Sequence, residues 1–444
     1  MKLNSIDIVN FRGFQDEHFD LDSRMNVIVG NNTAGKTTIL QAIQIALGAY
    51  LQSLTILPTD RSYRRNFATT DRPMFYNESK NDFFPVEGNP TVSVEAEVTT
   101  HTVDDETRKI IHWTREAKGK TTVHSRKNVG ELMAVANEWM MYRKSEDENT
   151  NVVLPIVLSF GADRIDNNYK LSKKTKERVS KIAKAYKFAL HEYVDFRSAL
   201  DWIYKYNSTT KNTKEFEGTD RAFYEALETA AKLKDIKVDV NDRELWATVK
   251  VTGNPVESRL TYEMMSSGFK AMVNIVSEIA YRCIMLNGWL GEDAVKETPG
   301  VVMIDEVDLY LHPHWQRHVL ADLQEAFPKM QFIVSTHSPF IVQSVDSQNI
   351  ITLDGATSSI SPSNRGIEEV AAKEMGISDE NLRSEKYRRK EELAKRYYEL
   401  VDRGENNPDE IEEVRSNLEQ LELDEDLTND PALKALLQFK RGRI

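Results

Sequence analysis

Apolar and polar residues alternate near the N-terminus and then change to helical spacing. Two short strands are predicted, Lys2 to Asn10 and about Glu17 to Leu21, and a third strand, Met25 to Val29, runs into a glycine-containing loop. From Ile39 to Leu47 the apolar residues recur at helical spacing, and Gly48 is the predicted end of that helix. The chain is therefore predicted to begin with strands, a loop and a helix.

The next part of the pattern predicts an antiparallel sheet, a helix and a buried strand. Thr91 to Val98 alternates apolar and polar residues, and Lys109 to Arg115 is its predicted partner strand. Glu131 to Lys144 has helical spacing, whereas the mostly apolar run from Val152 to Phe160 is typical of a buried strand. We expect the antiparallel sheet to be an insertion in the first half of an α/β core.

Predicted helices and strands alternate in the second half of the chain. Residues 165–237 are predicted to be mainly helical and polar. The elements that follow are a strand from Glu244 to Val251, a helix from Gly268 to Leu286, a strand from Val301 to Ile304, a helix from His314 to Ala326 and a strand from Gln331 to Ser335. Such alternation around a glycine loop predicts a mainly parallel sheet.

The pattern divides the chain into four predicted segments. These are the first half of a head domain (1–164), a mainly helical insertion (165–255), the second half of the head (256–354) and a helical tail (355–444). In the tail, polar and heavily charged helices are predicted at Gly366 to Glu374, Glu380 to Arg403 and Asn407 to Leu421.

The composition is that of a globular protein without an anchor or a disulfide framework. Hydrophobic residues make up 40% and charged residues 29% of the 444 positions, which argues against wholesale disorder. Cys283 is the only cysteine, so no intrachain disulfide can form. No apolar run approaches the roughly 20 residues of a membrane helix, and the N-terminus lacks a signal-peptide pattern. We expect a cytoplasmic protein.

The charge balance restricts where nucleic acid could bind. The net charge is −12, so any such contact must come from a local patch. The most basic window, Lys170 to Lys187, holds eight Lys or Arg and one acid, Glu177. Its cations include Lys170, Lys173, Lys174, Lys176, Arg178 and Lys181. The window is either a solvated helix face or a contact for a DNA or RNA backbone, whose affinity would fall steeply with salt.

A phosphate-binding motif lies between the third predicted strand and the first helix. The sequence G-N-N-T-A-G-K-T at 30–37 fits G-x-x-x-x-G-K-[ST] in the strand–loop–helix context that the motif requires. Backbone amides would cradle phosphate oxygens, Lys36 would supply charge to the β- and γ-phosphates, and the Thr37 hydroxyl would ligate Mg²⁺. The predicted ATP-binding residues are Gly30, Asn31, Asn32, Thr33, Ala34, Gly35, Lys36, Thr37 and Thr38.

Residues for metal binding and water activation follow two later strands. Asp305 and Glu306 come directly after an apolar strand. Asp305 would hold Mg²⁺ through its water shell, and Glu306 would be the general base for the attacking water. His337, just beyond the strand that ends at Ser335, would reach the γ-phosphate by hydrogen bonding. Glu306 and His337 are thus the predicted catalytic residues.

Four motifs together resemble those of ABC-type ATPase heads of the RecF, SMC and OLD group. They are N-F-R-G-F at 10–14, the phosphate loop, the acid pair at 305–306 and S-T-H-S-P at 335–339, and they span most of residues 1–345. The resemblance implies an α/β P-loop ATPase head with a mainly parallel sheet, an inserted antiparallel β subdomain, a helical insertion and a C-terminal helical tail. It also implies that ATP and Mg²⁺ are bound.

The resemblance further implies a homodimer or larger homo-oligomer with ATP sandwiched between heads. A further motif of the group, Leu-Ser-x-Gly-Gln or similar, is represented here by M-S-S-G-F at 265–269, in which Phe269 replaces a usual polar residue. Ser266, Ser267 and Gly268 would then complete the ATP site of the partner subunit. Arg12 would lie near the nucleotide.

One motif of the group has no counterpart in this sequence. A metal-contacting glutamine is expected after the strand that ends at Phe160, but the residues there are G-A-D-R at 161–164. Another residue would act in its place, and Asp163 and Arg164 are two candidates.

Within the group, the chain looks most like the PtuA ATPase subunits of Septu antiphage systems. Residues 165–255 are too short for an SMC coiled coil, and residues 345–444 lack a convincing OLD-type nuclease pattern. The supporting features are L-H-P at 311–313 and F-P-x-x-Q-F-I-V-S-T-H-S-P at 327–339. This resemblance implies slow, regulatory ATP turnover, a partner HNH-type nuclease (PtuB-like) and no nuclease activity from this chain alone. The alternatives are a RecF-like, ATP-gated DNA-repair protein and an OLD-like nuclease subunit.

Overall fold

The computed structural model describes residues 1–31, 33–102, 105–117, 128–143, 152–162, 164, 180–192, 196–206, 217–239, 244–250, 257–353 and 361–377, with isolated residues at 385, 388, 389, 392 and 416. Two predicted site positions, Asn32 and Asp163, lie outside these residues, as does nearly all of the tail helices predicted beyond residue 377. The same holds for most of the basic window, namely Lys170, Lys173, Lys174, Lys176 and Arg178. Lys181 is described and exposed.

The strands and helices predicted around the motifs are present, together with strands that the sequence did not predict. The strands are β1 (Lys2–Phe11), β2 (Phe14–Asp20), β3 (Met25–Val29), β4 (Met74–Asn77), β5 (Asp82–Pro85), β6 (Thr91–Thr102), β7 (Asp105–Glu116), β8 (Ile156–Phe160), β9 (Lys234–Val238), β10 (Leu245–Val249), β11 (Ser258–Thr261), β12 (Gly300–Ile304), β13 (Met330–Ser335) and β14 (Ile350–Thr352). The helices are α1 (Lys36–Ser53), α2 (Gly130–Arg143), α3 (Lys181–Tyr186), α4 (Phe196–Lys205), α5 (Thr219–Ala230), α6 (Ser267–Asn287), α7 (Pro313–Gln316), α8 (Val319–Ala326), α9 (Pro339–Val342) and α10 (Ile367–Lys373). The strands that the sequence did not predict are β4, β5, β9, β11 and β14.

A five-stranded parallel sheet brings the predicted motifs to one edge. Its order is β14-β3-β13-β12-β8, and every residue of β3, β8, β12 and β13 is buried. Such strands are typical of a sheet covered on both faces. The phosphate loop, the acid pair and the histidine motif follow the carboxyl ends of β3, β12 and β13, which are neighbours in the sheet. The predicted α/β fold with a mainly parallel sheet is confirmed.

A four-stranded antiparallel sheet packs beside this core in the order β2-β1-β6-β7. Ile6 lies opposite Val94, and Val94 lies opposite Trp113. The indole of Trp113 donates a hydrogen bond of 3.0 Å to the Ala46 carbonyl of α1. The strands predicted as an insertion therefore form one sheet with the N-terminal strands, because β1 pairs with β6 along most of its length.

The prediction that Gly48 ends the first helix was wrong. Helix α1 continues to Ser53, and Gly48 lies inside it. A Cβ atom at Gly48 would lie 2.6 Å from the carbonyl oxygen of Arg65. The glycine therefore permits the Arg65 backbone to approach α1 closely, which is a tertiary reason that the local pattern does not reveal.

Helix α6 is the centre of the helical part of the molecule. It is buried from Ala271 to Asn287 and packs against α3, α4, α5 and β8. Within the region predicted to be mainly helical, Lys234–Val238 is instead a strand, and the sheet order there is β11-β10-β9. That strand buries only Val238 fully, so its apolar pattern is too short to identify it.

The region after the acid pair differs slightly from the predicted single helix. Residues His314 to Ala326 form two helices, α7 and α8, separated by Arg317 and His318.

Among the residues that the structure describes, no helix combines the length and apolar character needed to cross a bilayer.

Candidate functional site

The phosphate loop connects the buried end of β3 to the first turn of α1. Gly35 takes a φ of 108° and Thr33 a φ of 76°, so the loop turns through left-handed backbone. A Cβ atom at Gly35 would lie 2.7 Å from Cζ of Phe14. Glycine is therefore required at position 35 for two reasons. It alone adopts this φ easily, and any Cβ atom would clash with the ring of Phe14. The N-F-R-G-F turn thus lies directly against the loop.

Lys36 and Thr37 are the first two residues of α1. The Lys36 ammonium donates hydrogen bonds to the carbonyls of Gly30 at 2.7 Å and Asn31 at 3.0 Å, and the residue is only 7% exposed. The Thr37 hydroxyl, which is exposed, donates to Oδ2 of Asp305 at 2.9 Å. This bond joins the loop to the acid pair across 268 positions of sequence.

The acid pair is fixed by a serine of the neighbouring strand. The hydroxyl of Ser335, which is fully buried, donates to Oδ1 of Asp305 and accepts a bond of 2.8 Å from the Glu306 amide. Glu306 has a φ of 49°, a left-handed conformation that costs on the order of 1–3 kcal/mol for a residue other than glycine. Ser335 therefore supports a strained backbone as well as a carboxylate.

The histidine motif is held from the same side by Asp308. The hydroxyl of Thr336 donates to Oδ1 of Asp308, and the His337 amide lies 3.4 Å from the same oxygen. Ser338 donates to Gln316 at 2.7 Å and caps α9 by accepting from the Phe340 amide. The backbone of His337 is thus anchored on both sides, while the residue itself stays exposed.

These side chains surround one cleft of about 270 Å³. Its lining consists of Thr33, Gly35, Lys36, Thr37, Thr38, Asp305, Glu306 and His337. The predicted loop residues, metal residues and catalytic residues therefore meet in one place. Gly30, Asn31 and Ala34 belong to the same loop but are not among the lining residues, and the carbonyls of Gly30 and Asn31 accept the bonds from Lys36.

Arg12 is not among the residues that line the cleft. Its Nε donates to Oδ1 of Asp71 at 2.8 Å, and its amide donates to the Asp71 carbonyl. Arg12 has a φ of 52°, and Asp71 is buried. Arg12 therefore fixes the turn whose Phe14 packs on the loop, and its predicted contact with nucleotide stays a prediction.

The M-S-S-G-F motif starts α6 at a different place from the cleft of its own chain. Ser266 stands at the N-cap without a side-chain capping bond, and both Ser266 and Ser267 are exposed. A Cβ atom at Gly268 would lie 2.8 Å from the Tyr310 carbonyl, so the helix start sits on the turn after the acid pair. The ring of Phe269 packs edge-on against Trp315 at 4.4 Å, which accounts for an apolar residue there.

Behind the acid pair lies a buried cation, Arg164. Its Nη1 donates to the Asp305 carbonyl at 2.7 Å, and its Nη2 donates to the carbonyl of Glu306. Burial lowers the pKa of Arg164 to about 10, and the nearby carboxylates Asp308 and Glu306 oppose that shift. The guanidinium therefore stays charged at neutral pH. It bonds backbone carbonyls of the acid pair, and its suggested role in place of the glutamine stays a prediction.

The motif-based prediction missed the supporting roles of three residues. Ser335 bonds the acid pair, Asp308 bonds the Thr336 hydroxyl, and Gln316 accepts from Ser338. Asp308 lies two positions after Glu306, but an acid in a turn is ordinary, and only the fold reveals its bonds to the histidine motif. Gln316 follows the acid pair at a distance that no short motif covers.

Two family models match the chain. One, described as "AAA domain", matches residues 5–244 and so includes the phosphate loop. The other, described as "AAA domain, putative AbiEii toxin, Type IV TA system", matches residues 259–343 and so includes the acid pair and the histidine motif.

Several proteins from other bacteria are similar to this chain. The "Retron Vc95 probable ATPase" of Vibrio cholerae serotype O1 biovar El Tor is 24% identical over 474 residues, covering 94% of this chain and 86% of the relative. The "Retron Ec83 probable ATPase" of Escherichia coli is 25% identical over 419 residues, covering 79% and 71%. The "Septu protein PtuA" of Bacillus thuringiensis is 33% identical over 131 residues, covering 29% and 30%.

SMC heads are among the solved structures that align with this chain. A head domain with an extended coiled coil, derived from Pyrococcus furiosus, aligns with a TM-score of 0.43 and 15% identity, covering 78% of this chain and 92% of that one. The head domain from Thermotoga maritima aligns with a TM-score of 0.38 and 15% identity, covering 78% and 93%.

Proposed function

Because this chain belongs to the AAA domain family, we propose that it is the ATPase subunit of an antiphage defence complex. In this proposal, ATP binds between two copies of the chain, and its slow hydrolysis controls a partner effector nuclease. The observation that carries the proposal is the cleft in which the phosphate loop, the acid pair and the histidine motif meet. The similarity to retron ATPases over most of the chain supports it.

The cleft residues suit a nucleoside triphosphate with Mg²⁺. The Thr37 hydroxyl donates to Asp305 Oδ2 at 2.9 Å, so two hard oxygen atoms, the ligand type that Mg²⁺ prefers, lie side by side in the cleft. Thr37 and Asp305 are the residues that would hold it. When bound with the nucleotide, the metal ion neutralises phosphate charge and favours in-line attack at the terminal phosphate.

Lys36 would exchange its present partners for phosphate oxygens. Its ammonium now bonds the carbonyls of Gly30 and Asn31, which leaves the charge satisfied within the loop. A phosphate offers stronger, charge-assisted acceptors than these neutral carbonyls. The loop amides and the N-terminus of α1 add further donors for the anion.

Glu306 is the candidate general base and His337 the candidate sensor of the terminal phosphate. Both line the cleft, and both have a backbone fixed by neighbouring side chains, Ser335 for Glu306 and Asp308 for His337. Glu306 would orient the attacking water and take its proton, while the His337 imidazole would donate to a γ-phosphate oxygen.

The exposed serines of α6 support an ATP site composed of two subunits. Ser266 and Ser267 are absent from the cleft lining, and the Ser266 hydroxyl makes no capping bond. In a head-to-head dimer these hydroxyls and the α6 amides would meet the γ-phosphate bound by the other copy. ATP would then hold the two heads together.

The proposal is tested by comparing Glu306→Gln and Lys36→Met with the parent chain. Glu306→Gln should lower phosphate release about 100-fold or more while retaining ATP in a dimer, since only the base is lost. Lys36→Met should abolish both nucleotide binding and dimerisation. Phosphate release, bound nucleotide and mass by light scattering are the measurements, and Glu325→Gln, an exposed glutamate of α8, is the control. Parental hydrolysis by Glu306→Gln would refute the assignment.

From the resemblance to Septu systems, we infer that the partner is an HNH-type nuclease. The tail from Gly376 to Ile444 is our docking candidate, and nearly all of it lies outside the described residues. Affinity purification of the tagged full chain from its host, followed by mass spectrometry, tests this inference. Recovery of the assembled chain without any nuclease would contradict it.

A further inference from the structure

The guanidinium of Arg164 lies behind the acid pair, on the side of the backbone away from the cleft lining. Arg164 is 1% exposed and is not among the residues that line the cleft. It donates to the carbonyls of Asp305 and Glu306 and lies 3.4 Å from that of Leu309. One side chain thus bonds both residues of the acid pair and the turn that follows.

The backbone that Arg164 holds is strained. Glu306 has a φ of 49° and Tyr310 a φ of 69°, both in the left-handed region that residues with a side chain seldom adopt. Such conformations persist only where the surroundings determine them strongly. Because a planar guanidinium can bond several carbonyls in a fixed geometry, arginine suits this task better than lysine, which is a point donor.

Arg164 is itself held by the helix that carries the exposed serines. The side-chain amide of Asn274, buried in α6, donates to the Arg164 carbonyl at 2.9 Å. The Tyr262 hydroxyl, just before the M-S-S-G-F motif, donates to Oδ1 of Asn274 at 2.8 Å. Hydrogen bonds therefore link Tyr262, which precedes α6, to Asn274 within α6 and to the Arg164 carbonyl, and the guanidinium of the same arginine bonds the acid pair.

We propose that Arg164 is a positioning residue for ATP hydrolysis, which fixes the carboxylate of Glu306 by holding the backbone on either side of it. Asn274 holds Arg164 in place, so a movement of α6 would also move the backbone of Glu306, the general base. The inference rests on the proposed ATPase function. In this inference Arg164 acts through the backbone of the acid pair and contacts neither nucleotide nor metal.

The test compares Arg164→Met and Arg164→Lys with the parent chain. Arg164→Met should lower kcat about 10- to 100-fold, since misplacement of a catalytic group by about 1 Å has effects of that size. The KM for ATP should change less than about 3-fold, because the phosphate loop is untouched. Arg164→Lys should recover part of the lost kcat. Asn274→Ala should give a smaller loss of kcat, again without a change in KM.

Arg115→Met is the matched control. Arg115 is also buried, its pKa is also lowered to about 10 by burial, and it is in β7, with Asn66 as a partner. This variant should lose thermal stability as Arg164→Met does and keep kcat near that of the parent. If both variants lose kcat in proportion to stability, Arg164 has only a structural role and the inference is wrong.

Hydrogen exchange separates this inference from the proposed function. In Arg164→Met, the amides of residues 305–311 should exchange faster than in the parent, whereas those of β3 should not change. If the parent chain hydrolyses no ATP, the proposed function fails, and faster exchange confined to 305–311 would still support the positioning of this turn. Unchanged exchange there, or a parental kcat in Arg164→Met, overturns the inference.

Discussion

At the scale of single residues, the candidate site depends on side chains that bond backbone as much as on those that face the cleft. Ser335 is the clearest case, because one buried hydroxyl bonds the Asp305 carboxylate and the Glu306 amide. Asp308 holds the Thr336 hydroxyl in a similar way. The reactive groups are therefore placed by neighbours that would never touch the substrate.

Ser335→Ala tests this placement directly. The change leaves Oδ1 of Asp305 without its serine donor and the Glu306 amide without its acceptor, which should lower stability by about 1–3 kcal/mol. We expect ATP hydrolysis to fall about 10-fold or more, because both acids lose their orientation. Urea unfolding and steady-state hydrolysis are the measurements.

Ser338→Ala is the comparison for that experiment. Its hydroxyl bonds Gln316 and caps α9, so it should cost similar stability with a smaller loss of hydrolysis. Equal hydrolysis by Ser335→Ala and the parent would show that the serine bonds do not position the acids.

At the scale of elements, backbone approaches decide how the pieces meet. Helix α6 starts at the Tyr310 carbonyl because Gly268 has no Cβ, and α1 accepts the Arg65 backbone at Gly48 for the same reason. In β12, a Cβ atom at Gly300 would lie 2.1 Å from the Ile156 carbonyl of β8. Each contact joins elements that are distant in sequence.

Gly268→Ala should separate nucleotide binding from assembly. The added methyl group would lie 2.8 Å from a backbone oxygen, so the start of α6 must move away from the turn after the acid pair. We expect ATP affinity to stay within about 3-fold of the parent, while ATP-dependent dimerisation and hydrolysis fall about 10-fold.

The matched change is Gly366→Ala, where no atom lies within 4 Å of the added Cβ. Nucleotide binding by equilibrium dialysis and mass by light scattering give the comparison. Unaltered dimerisation of Gly268→Ala would show that the start of α6 takes no part in assembly.

The elements also show what the sequence can predict. The motif spacing and apolar runs predicted the strands that end at the cleft and the residues that line it, since parallel strands place their carboxyl ends at one edge. The bonds of Arg164 to the acid pair span more than 140 positions and leave no local pattern. The strand Lys234–Val238 was missed because it buries too few apolar residues. Gly48 was wrongly predicted to end the helix because the reason for glycine there is a tertiary contact with the Arg65 backbone.

At the scale of the whole molecule, one residue reports on the core. Cys283 lies in the buried part of α6 and is 0% exposed. Burial raises the pKa of its thiol well above the usual range, so the reactive thiolate is scarce in the native protein. The thiol can react only when the core around α6 opens.

A thiol reagent such as DTNB should therefore label the native chain very slowly and react at once in denaturant. Labelling should slow further with ATP and Mg²⁺ if these bind the folded state, because ligand binding lowers the population of open forms. Glu87→Cys, at an exposed position, is the control and should react within the mixing time. Rapid labelling of the native parent chain would show that the core opens readily.

The close contact between Gly268 and the Tyr310 carbonyl has a consequence for the genetics of the proposed dimer. The start of α6 would serve the neighbour's nucleotide, whereas the turn it touches belongs to the chain's own acid pair. A chain altered at this contact would therefore impair a normal chain in the same dimer. Its displaced helix start would weaken the ATP site of the normal chain, and its own acid pair would be disturbed as well. Defects at this contact should behave as dominant alleles, silencing the system in cells that still carry an intact copy.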